Sequence, residues 1–473
     1  LTPQTVERFA ARFPGRVAVL HSRLTLGEQY DQWHAIRDGD YDVVIGARGV
    51  VFAPVMNPGI IILDEEHEWS YKQQEPAPRY HARTVAIKLV ELNHAIAILG
   101  SATPDVESYY HTRVGVYQLL EMPERLTPYP GAPMPEVELV DLREELKTGN
   151  RSIFSRELET AMRQSLAHEG QVILFYNRRG AAPFVQCRNC GLVVSCRHCR
   201  VAMSYHADIE MLVCHHCNWR QPVPRMCPRC MSRRIKYLGM GTQKLEQEAA
   251  RIFPRARILR WDSDSARGRY SNQEIMNKLR SRQIDILIGT QMVAKGLDLP
   301  GVTLVGVVSA DTSLNLPDFR AGERTFQLLS QVAGRAGRGE GTGRVIIQTY
   351  SPENYAIKAV PGYDYTAFYE QEIEYRRILG NPPFSQMVQL TYSHTNEDVC
   401  QREAERLKRQ LALGMASGGI IDIRITGPSP AFIARLRGHF RWQMTLKGKE
   451  PLRLLRDVVL PLGWVVDVDP VGV

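Results

Sequence analysis

The chain has 473 residues, of which 44% are hydrophobic and 23% charged, enough apolar side chain for three or four ordinary cores at roughly 150 residues per domain. No run of 18 apolar residues occurs, and the opening LTPQTVERFAARFPGR lacks the basic-then-apolar layout of an export signal, which argues against a membrane span and against secretion. A net charge of +8 favours a polyanionic partner, and eight of the nine cysteines fall between 187 and 230, which points to a local metal device in a reducing cytosol.

Residues 1–118 alternate apolar runs (RVAVLHS, YDVVIGA, GIIILDEE, AIAILGSATP) with helix-compatible stretches such as HARTVAIKLVELN, the pattern of a parallel sheet with crossover helices. The run IIILDEEH reads as a buried parallel strand that delivers Asp64 and Glu65 at its C-terminal edge. Two adjacent carboxylates on a rigid strand end suit a Mg²⁺-nucleotide site, Asp64 holding the ion and Glu65 orienting the attacking water. In GSATP, Ser101 and Thr103 place small hydroxyls after the next strand, where they can bond the acid pair and sense phosphate loss. The usual second half of such a site, a Gly-rich turn closed by Gly-Lys-Ser/Thr, is not in the sequence.

Residues 119–152 are expected to form an extended connector, since MPERLTPYPGAPMP holds five prolines and no helical period. A second α/β unit follows at 153–350, with strand-like QVILFYN, ARILRW, IDILIGT, VTLVGVVSAD and GRVIIQTY. Between the first two of these strands, at 185–236, lie four CxxC pairs. Two CxxC turns complete one tetrahedral Zn²⁺ site, so eight thiolates make two structural sites. Fourteen residues separate Cys199 from Cys214, a ribbon-like spacing that groups Cys196, Cys199, Cys214 and Cys217 on one ion and leaves Cys187, Cys190, Cys227 and Cys230 to clasp the base. Pairing of sequential neighbours stays open, and His198, His215 and His216 read as spare surface residues. The module carries nine Lys/Arg and two Asp/Glu, but two thiolate-bound Zn²⁺ contribute about −4, so its charge is a weak argument for nucleic-acid binding.

In QVAGRAGR, a helix would align Gln331, Arg335 and Arg338 at i, i+4 and i+7, two guanidinium groups on the face of a nucleotide cleft. Gly334 and Gly337 weaken such a helix, and close approach to another lobe would explain them. Residues 351–385 read as a linker, and 386–473 as a small α+β domain with a long charged helix at 397–414. There, GPSPAFIARLRGHFRWQM interleaves Arg435, Arg437 and Arg441 with Phe440 and Trp442, a pattern suited to nucleic acid or an acidic peptide and equally to a half-buried strand.

Taken together, LTPQT, DEEH, GSATP, GTQMVAKGLD, ADTSLNLPDFRAGERTFQLLSQVAGRAGR and the eight-cysteine insertion resemble the bacterial primosomal protein N′ family, the replication-restart helicases of superfamily 2. The resemblance covers essentially the whole chain. It implies an α/β protein with two RecA-like helicase lobes, the first incomplete, a two-zinc insertion in lobe two and a C-terminal α+β domain. It also implies that the chain is a C-terminal portion whose Walker A loop and DNA-binding region lie upstream of LTPQT. The family is an ATP- and Mg²⁺-dependent 3′–5′ DNA helicase of primosome assembly at stalled forks. Its expected partners are single-stranded and forked DNA, single-strand DNA-binding protein, other primosome proteins and the replicative helicase loader. A monomer in the bacterial cytoplasm, at the nucleoid, is expected.

By the same similarity, Thr2, Gln4 and Arg48 of lobe one and Thr290, Gln291 and Lys295 of lobe two would contact the DNA backbone. EWSYKQQEPAPRYHAR (68–83) resembles the aromatic-rich loop of related motors. Its Trp69, Tyr71 and Tyr80 would stack bases, and Arg79 and Arg83 would meet phosphates. One departure from the family pattern is Asn381 in GNPPFS, where an aromatic is expected before the prolines. The competing readings are a zinc-stabilised DNA-binding or scaffolding protein without ATPase activity, and an RNA helicase on the same plan.

Overall fold

The computed structural model describes residues 3–122, 134–177, 184–199, 201–206, 209–238, 241–261, 272–290, 299, 301–337 and 343–472. Two compact units divide the chain, one of residues 1–111 with 467–471 and one of residues 112–466 with 472–473.

The first unit runs α1 (Pro3–Arg12), β1 (Val17–Leu20), α2 (Leu26–Asp38), β2 (Val43–Gly46), β3 (Ile60–Asp64), α3 (Ala82–Asn93), β4 (Ile96–Gly100) and α4 (Val106–Arg113). Thr25 and Glu28 form a reciprocal capping box that starts α2, and Gly39 ends it at φ 87°. All four expected strands are present and all pairing is parallel. They form two separate ladders among the described residues, β1 with β2 and β3 with β4, where one sheet was expected. Nor is β3 buried as its apolar run suggested. Ile60 and Ile62 are 52% and 57% exposed, and only Leu63 is enclosed. The register aligns Ile60 with Ile96 and Ile62 with Ile98, so these four share one open face, while α3 packs on both strands.

In the second unit, six parallel strands lie in the order β12-β13-β6-β14-β15-β5: β5 (Glu136–Asp141), β6 (Gln171–Phe175), β12 (Ile258–Trp261), β13 (Ile286–Gly289), β14 (Val302–Val307) and β15 (Arg344–Thr349). The edge strand β5, followed by α5 (Leu142–Lys147), corrects the reading of 119–152 as connector throughout. Glu136 to Val140 alternates charge with apolar side chains, as an edge strand does, and β15 supplies its backbone partners. The central strands bury continuous apolar runs under α6 (Arg156–Ala167) and α7 (Thr242–Ile252), with Leu158, Met162, Leu174, Ile288, Leu304 and Ile346 at the core.

Between β6 and α7 the cysteine region forms a five-stranded antiparallel sheet ordered β10-β9-β8-β7-β11, from β7 (Phe184–Cys187), β8 (Ser204–His206), β9 (Met211–Val213), β10 (Arg220–Pro222) and β11 (Ile235–Leu238). After α8 (Asn272–Arg280), α9 (Asp311–Leu314) and α10 (Ala321–Ala333), the expected linker at 351–385 proves to be structured, with α11 (Tyr355–Lys358) and α12 (Tyr365–Leu379). What holds α12 is a buried charge cluster. Arg376, 0% exposed, donates from Nη2 to Glu323 of α10 at 2.6 Å, from Nε to Glu372 at 2.8 Å and from Nη1 to the Pro382 carbonyl at 3.3 Å. Tyr355 donates its phenol proton to Glu372, and Phe368 stacks on Phe326 at 4.5 Å. Asn381 sits where the family pattern led us to expect an aromatic. It accepts from Lys447, whose ammonium also holds the Leu379 carbonyl at the end of α12.

The C-terminal sheet is ordered β17-β18-β16-β19, from β16 (Gln386–His394), β17 (Arg424–Leu436), β18 (His439–Gly448) and β19 (Trp464–Val468), with α13 (Glu397–Ser417) packed on it. Trp442 belongs to this core with Leu390, Leu407, Met444 and Leu446, so it is not the nucleic-acid platform the basic-aromatic pattern suggested. Arg435 lies over Phe440 at 5.1 Å, and both Arg435 and Arg437 are exposed.

Candidate active site and zinc centres

β3 ends at Asp64, which is exposed, and Glu65 follows in the left-handed region at φ 51°. A non-glycine residue held there carries strain that the surrounding structure must impose, and such residues gather at functional sites. The imposing groups are the next two residues of the motif. Glu66 is buried, accepting from Arg83 Nη1 at 2.7 Å, from the Ser108 hydroxyl at 3.0 Å and from the Asp105 N–H at 2.7 Å. Burial raises its pKa, against the pull of Arg83. His67 meets the Ser101 hydroxyl at 2.6 Å through Nδ1 and Glu65 at 3.6 Å through Nε2. Ser101 accepts from the Thr103 N–H, and the Thr103 hydroxyl is buried without a hydrogen-bond partner. The structure thus brings Asp64, Glu65, Ser101 and Thr103 to one edge, as DEEH and GSATP suggested. Glu66, Ser108 and Asp105, which the sequence reading passed over, lock that edge in place. The third acid of DEEH was the available signal.

Three loop assignments change. Arg83, read as a phosphate contact, pairs with Glu66 and Asp105. Arg48 donates to the carbonyls of Ser70 and Lys72, so it clasps the aromatic loop from within. Tyr71 donates its phenol proton to the Asp64 carbonyl at 2.7 Å, which makes it a strut to the acid pair; burial, then the charge of Asp64, pushes its pKa up to about 12. Local energetics explain all three, because a buried or half-buried donor takes a nearby backbone or carboxylate acceptor before it faces solvent. Trp69 remains exposed, Tyr80 packs edge-on against Phe52, and Arg79 lies 3.9 Å from Asp467. Lys72, buried between them in sequence, pairs with Asp467 at 3.0 Å. Gln4 lies in the first turn of α1, and Thr2 is outside the described residues.

In the second unit, α10 ends at Ala333, so Gln331 and Arg335 are not on one helical face as expected, and Arg335 is buried in the following turn. Gly337 takes φ +65°, and a Cβ on Gly343 would lie 2.3 Å from its nitrogen; conformation and close backbone approach explain these glycines. Thr290, at the C-terminal end of β13, buries a hydroxyl with no partner. One strand away, Asn177 follows β6, bonds Ser313 and leaves its own carbonyl oxygen unpaired, a polar pair the sequence reading missed. Arg338, Gln291 and Lys295 lie outside the described residues.

The cysteines form two tetrads, Cys187, Cys190, Cys227 and Cys230, and Cys196, Cys199, Cys214 and Cys217, each with all four sulfurs within 4.8 Å. The nested pairing is therefore correct and sequential pairing is excluded. Sulfur pairs sit 3.6 Å apart in both, close to the roughly 3.8 Å that tetrahedral Zn–S bonds of about 2.3 Å require. Left-handed residues close three of the turns, Gly191 at φ 76°, Asn218 at φ 60° and Met231 at φ 57°. Their N–H groups bond back to the carbonyls of Cys187, Cys214 and Cys227. These are two Cys₄ zinc-binding sites.

Of the histidines read as surface residues, only His198 is exposed, where it packs edge-on against Trp219. His215 is buried and His216 half-buried. Burial lowers the pKa of both, His215 to about 4.

The family model for the PriA DNA helicase Cys-rich region domain matches residues 196–222, and that for the primosomal protein N C-terminal domain matches 377–471. The helicase conserved C-terminal domain matches 235–340, and the DEAD/DEAH box helicase model matches 1–111. The replication restart protein PriA of Bacillus subtilis (strain 168) is 46% identical over 454 residues, covering 96% of this chain and 55% of that protein. Its namesake from Synechocystis is 43% identical, covering 100% and 58%. That of Treponema pallidum (strain Nichols) is 37% identical, covering 100% and 71%. The chain thus spans little more than half the length of the first two relatives. No helix among the described residues is long and apolar enough to cross a membrane. With more than two thirds of a relative covered at this identity, and with models of both its cysteine-rich region and its C-terminal domain matched, the chain belongs to the replication restart protein PriA family.

Proposed function

We propose that the chain serves an ATP-dependent 3′–5′ DNA helicase that restarts replication by assembling a primosome at stalled or abandoned forks. The observation that carries this reading is the 2.7 Å hydrogen bond from Tyr71 to the Asp64 carbonyl, which ties an exposed-aromatic loop directly to an ATPase-type acid pair. A base stacked on Trp69 would bear on the same loop, so nucleic-acid occupancy and hydrolysis share one strut. ATP with Mg²⁺ supplies the hydrolysable phosphoanhydride when bound. Asp64 would hold the ion, Glu65 would orient water, Ser101 and Thr103 would respond to phosphate loss, and Gln331, Arg335 and Arg338 would stabilise developing charge. The buried, unpaired hydroxyl of Thr290 suits a phosphate of the tracked strand, with Gln291 and Lys295 beside it in sequence. On this reading the chain is a monomer of the bacterial cytoplasm that works with single-strand DNA-binding protein, other primosome proteins and the replicative helicase loader.

The test is Mg²⁺-dependent ATP hydrolysis, with and without single-stranded DNA, by the chain and by a form extended at its N-terminus to include a phosphate-binding turn, alongside anisotropy of single-stranded and forked DNA. The expected result is no turnover by the chain, whose sequence has no Gly-Lys-Ser/Thr turn, and, in the extended form, hydrolysis that is stimulated by DNA, lost in Glu65→Gln, and less responsive to DNA in Tyr71→Phe at unchanged DNA affinity. Salt-sensitive DNA binding with no turnover in the extended form would overturn the enzymatic reading in favour of a zinc-stabilised scaffold, turnover by the chain itself would overturn the reading that its phosphate loop lies elsewhere, and preference for RNA would redirect the motor.

A further inference from the structure

The inner zinc site contains the turn Cys214-His215-His216-Cys217, and its two histidines leave the ribbon. His215 is 1% exposed. Its Nδ1 donates to the Pro430 carbonyl at 3.1 Å, leaving Nε2 to accept from His206 at 3.1 Å. The backbone carbonyl of His215 accepts from the Ser429 hydroxyl at 2.6 Å and from Gln443 Nε2 at 3.3 Å, and the ring meets Phe432 edge-on at 5.4 Å. His216 bonds the Pro317 carbonyl at 3.0 Å through Nε2, in the turn that leads into α10.

Ser429 and Gln443 are fully or nearly buried polar residues of β17 and β18, and the acceptor that satisfies both is the His215 carbonyl. A polar pair enclosed in this way is costly unless its partner is delivered reliably. The carbonyl's direction is set by the knuckle, in which Asn218 at φ 60° bonds back to Cys214. Four sulfurs gathered within 4.8 Å hold that turn only through a shared cation.

We propose that the inner zinc ion fastens the C-terminal domain to the second helicase lobe, with His215 as the peg that β17 and β18 grip and His216 as the tie to the approach of α10. The ion's role is then assembly of two neighbouring domains as well as folding of its own ribbon. This assignment is independent of ATP and DNA.

A suitable reporter lies at 424–429, where β17 pairs with β18 as far as Ser429, the residue whose hydroxyl bonds the His215 carbonyl. Hydrogen–deuterium exchange is measured over that segment in the 473-residue chain, with zinc content determined on the same samples. Wild type and His198→Ala, which alters an exposed residue of the other turn on the same ion, retain two zinc ions and slow exchange. The double variant Cys214→Ser with Cys217→Ser retains one zinc ion and exchanges at least about tenfold faster. His215→Ala retains both ions and exchanges as fast as the cysteine variant. Wild-type protection at 424–429 after loss of the inner ion overturns the proposal, and so does wild-type protection in His215→Ala.

Discussion

Replacing Arg376 by Met tests whether the charge cluster beneath α12 holds the second unit together. The guanidinium is wholly buried and makes three hydrogen bonds, two of them to the carboxylates of Glu323 and Glu372 at 2.6 and 2.8 Å. Charge-assisted bonds of this kind are worth about 1.5–3 kcal/mol each, and breaking a buried ion cluster from one side costs about 3–5 kcal/mol because the remaining charges are left without compensation. Glu372 keeps the Tyr355 phenol and Glu323 keeps Gln327, which places the expected loss near the lower end, about 3 kcal/mol. Scanning calorimetry of the zinc-loaded chain should show the second-unit transition fall by about 4 °C. Combining Arg376→Met with Glu323→Gln and Glu372→Gln should recover at least half of the loss, since the penalty resides in stranded charge. A single-variant loss below about 1 kcal/mol, or no recovery in the triple variant, would refute the reasoning.

Two further outcomes follow from local geometry. Tyr71 keeps its proton to about pH 12 in the folded chain, against an ordinary value near 10, so its contribution to stability is complete below pH 10 and is lost as pH rises through 12. Phenolate absorbance of wild type minus Tyr71→Phe should therefore titrate near 12, and a midpoint near 10 would remove the buried strut. Gly191→Ala places a Cβ 2.4 Å from the Tyr350 carbonyl oxygen at φ +76°, a collision with backbone that costs about 2–4 kcal/mol. Because Gly191 follows Cys190, the outer ion should yield to a competing chelator at about tenfold lower concentration; unchanged competition would show that the turn relaxes freely.

Much of the site was legible as short motifs. DEEH and GSATP supply side chains within a few residues of strand ends, and the four CxxC units fix ligand identity through a spacing that only a small range of turns satisfies. The nested tetrads followed from loop length and proved right. What failed were readings that required knowing neighbours. Arg83, Arg48 and Tyr71 have the residue types of a nucleic-acid loop, yet each meets an acceptor that the folding of the loop itself brings within reach. His215 and His216 look spare beside eight cysteines, and Trp442 looks like a platform among arginines, until a second domain or a sheet encloses them. Residues 351–385 carry no long apolar period, so the helix Tyr365–Leu379, held by the buried pair Arg376 and Glu323, read as linker.

By itself the sequence determined the principal strands of the two α/β units, the strand end that carries DEEH, and the metal with its eight ligands, because these depend on periodicity and on spacing within a few residues. The tertiary structure alone decided that the first unit pairs its strands in two ladders, that Glu66 and His67 hold a strained Glu65, and that a zinc turn reaches into β17 and β18. The last two rest on which buried polar groups meet across separations from 17 to 214 residues. Hydrogen-bond satisfaction in a closed interior is a property of the assembled surfaces, and no local pattern encodes it.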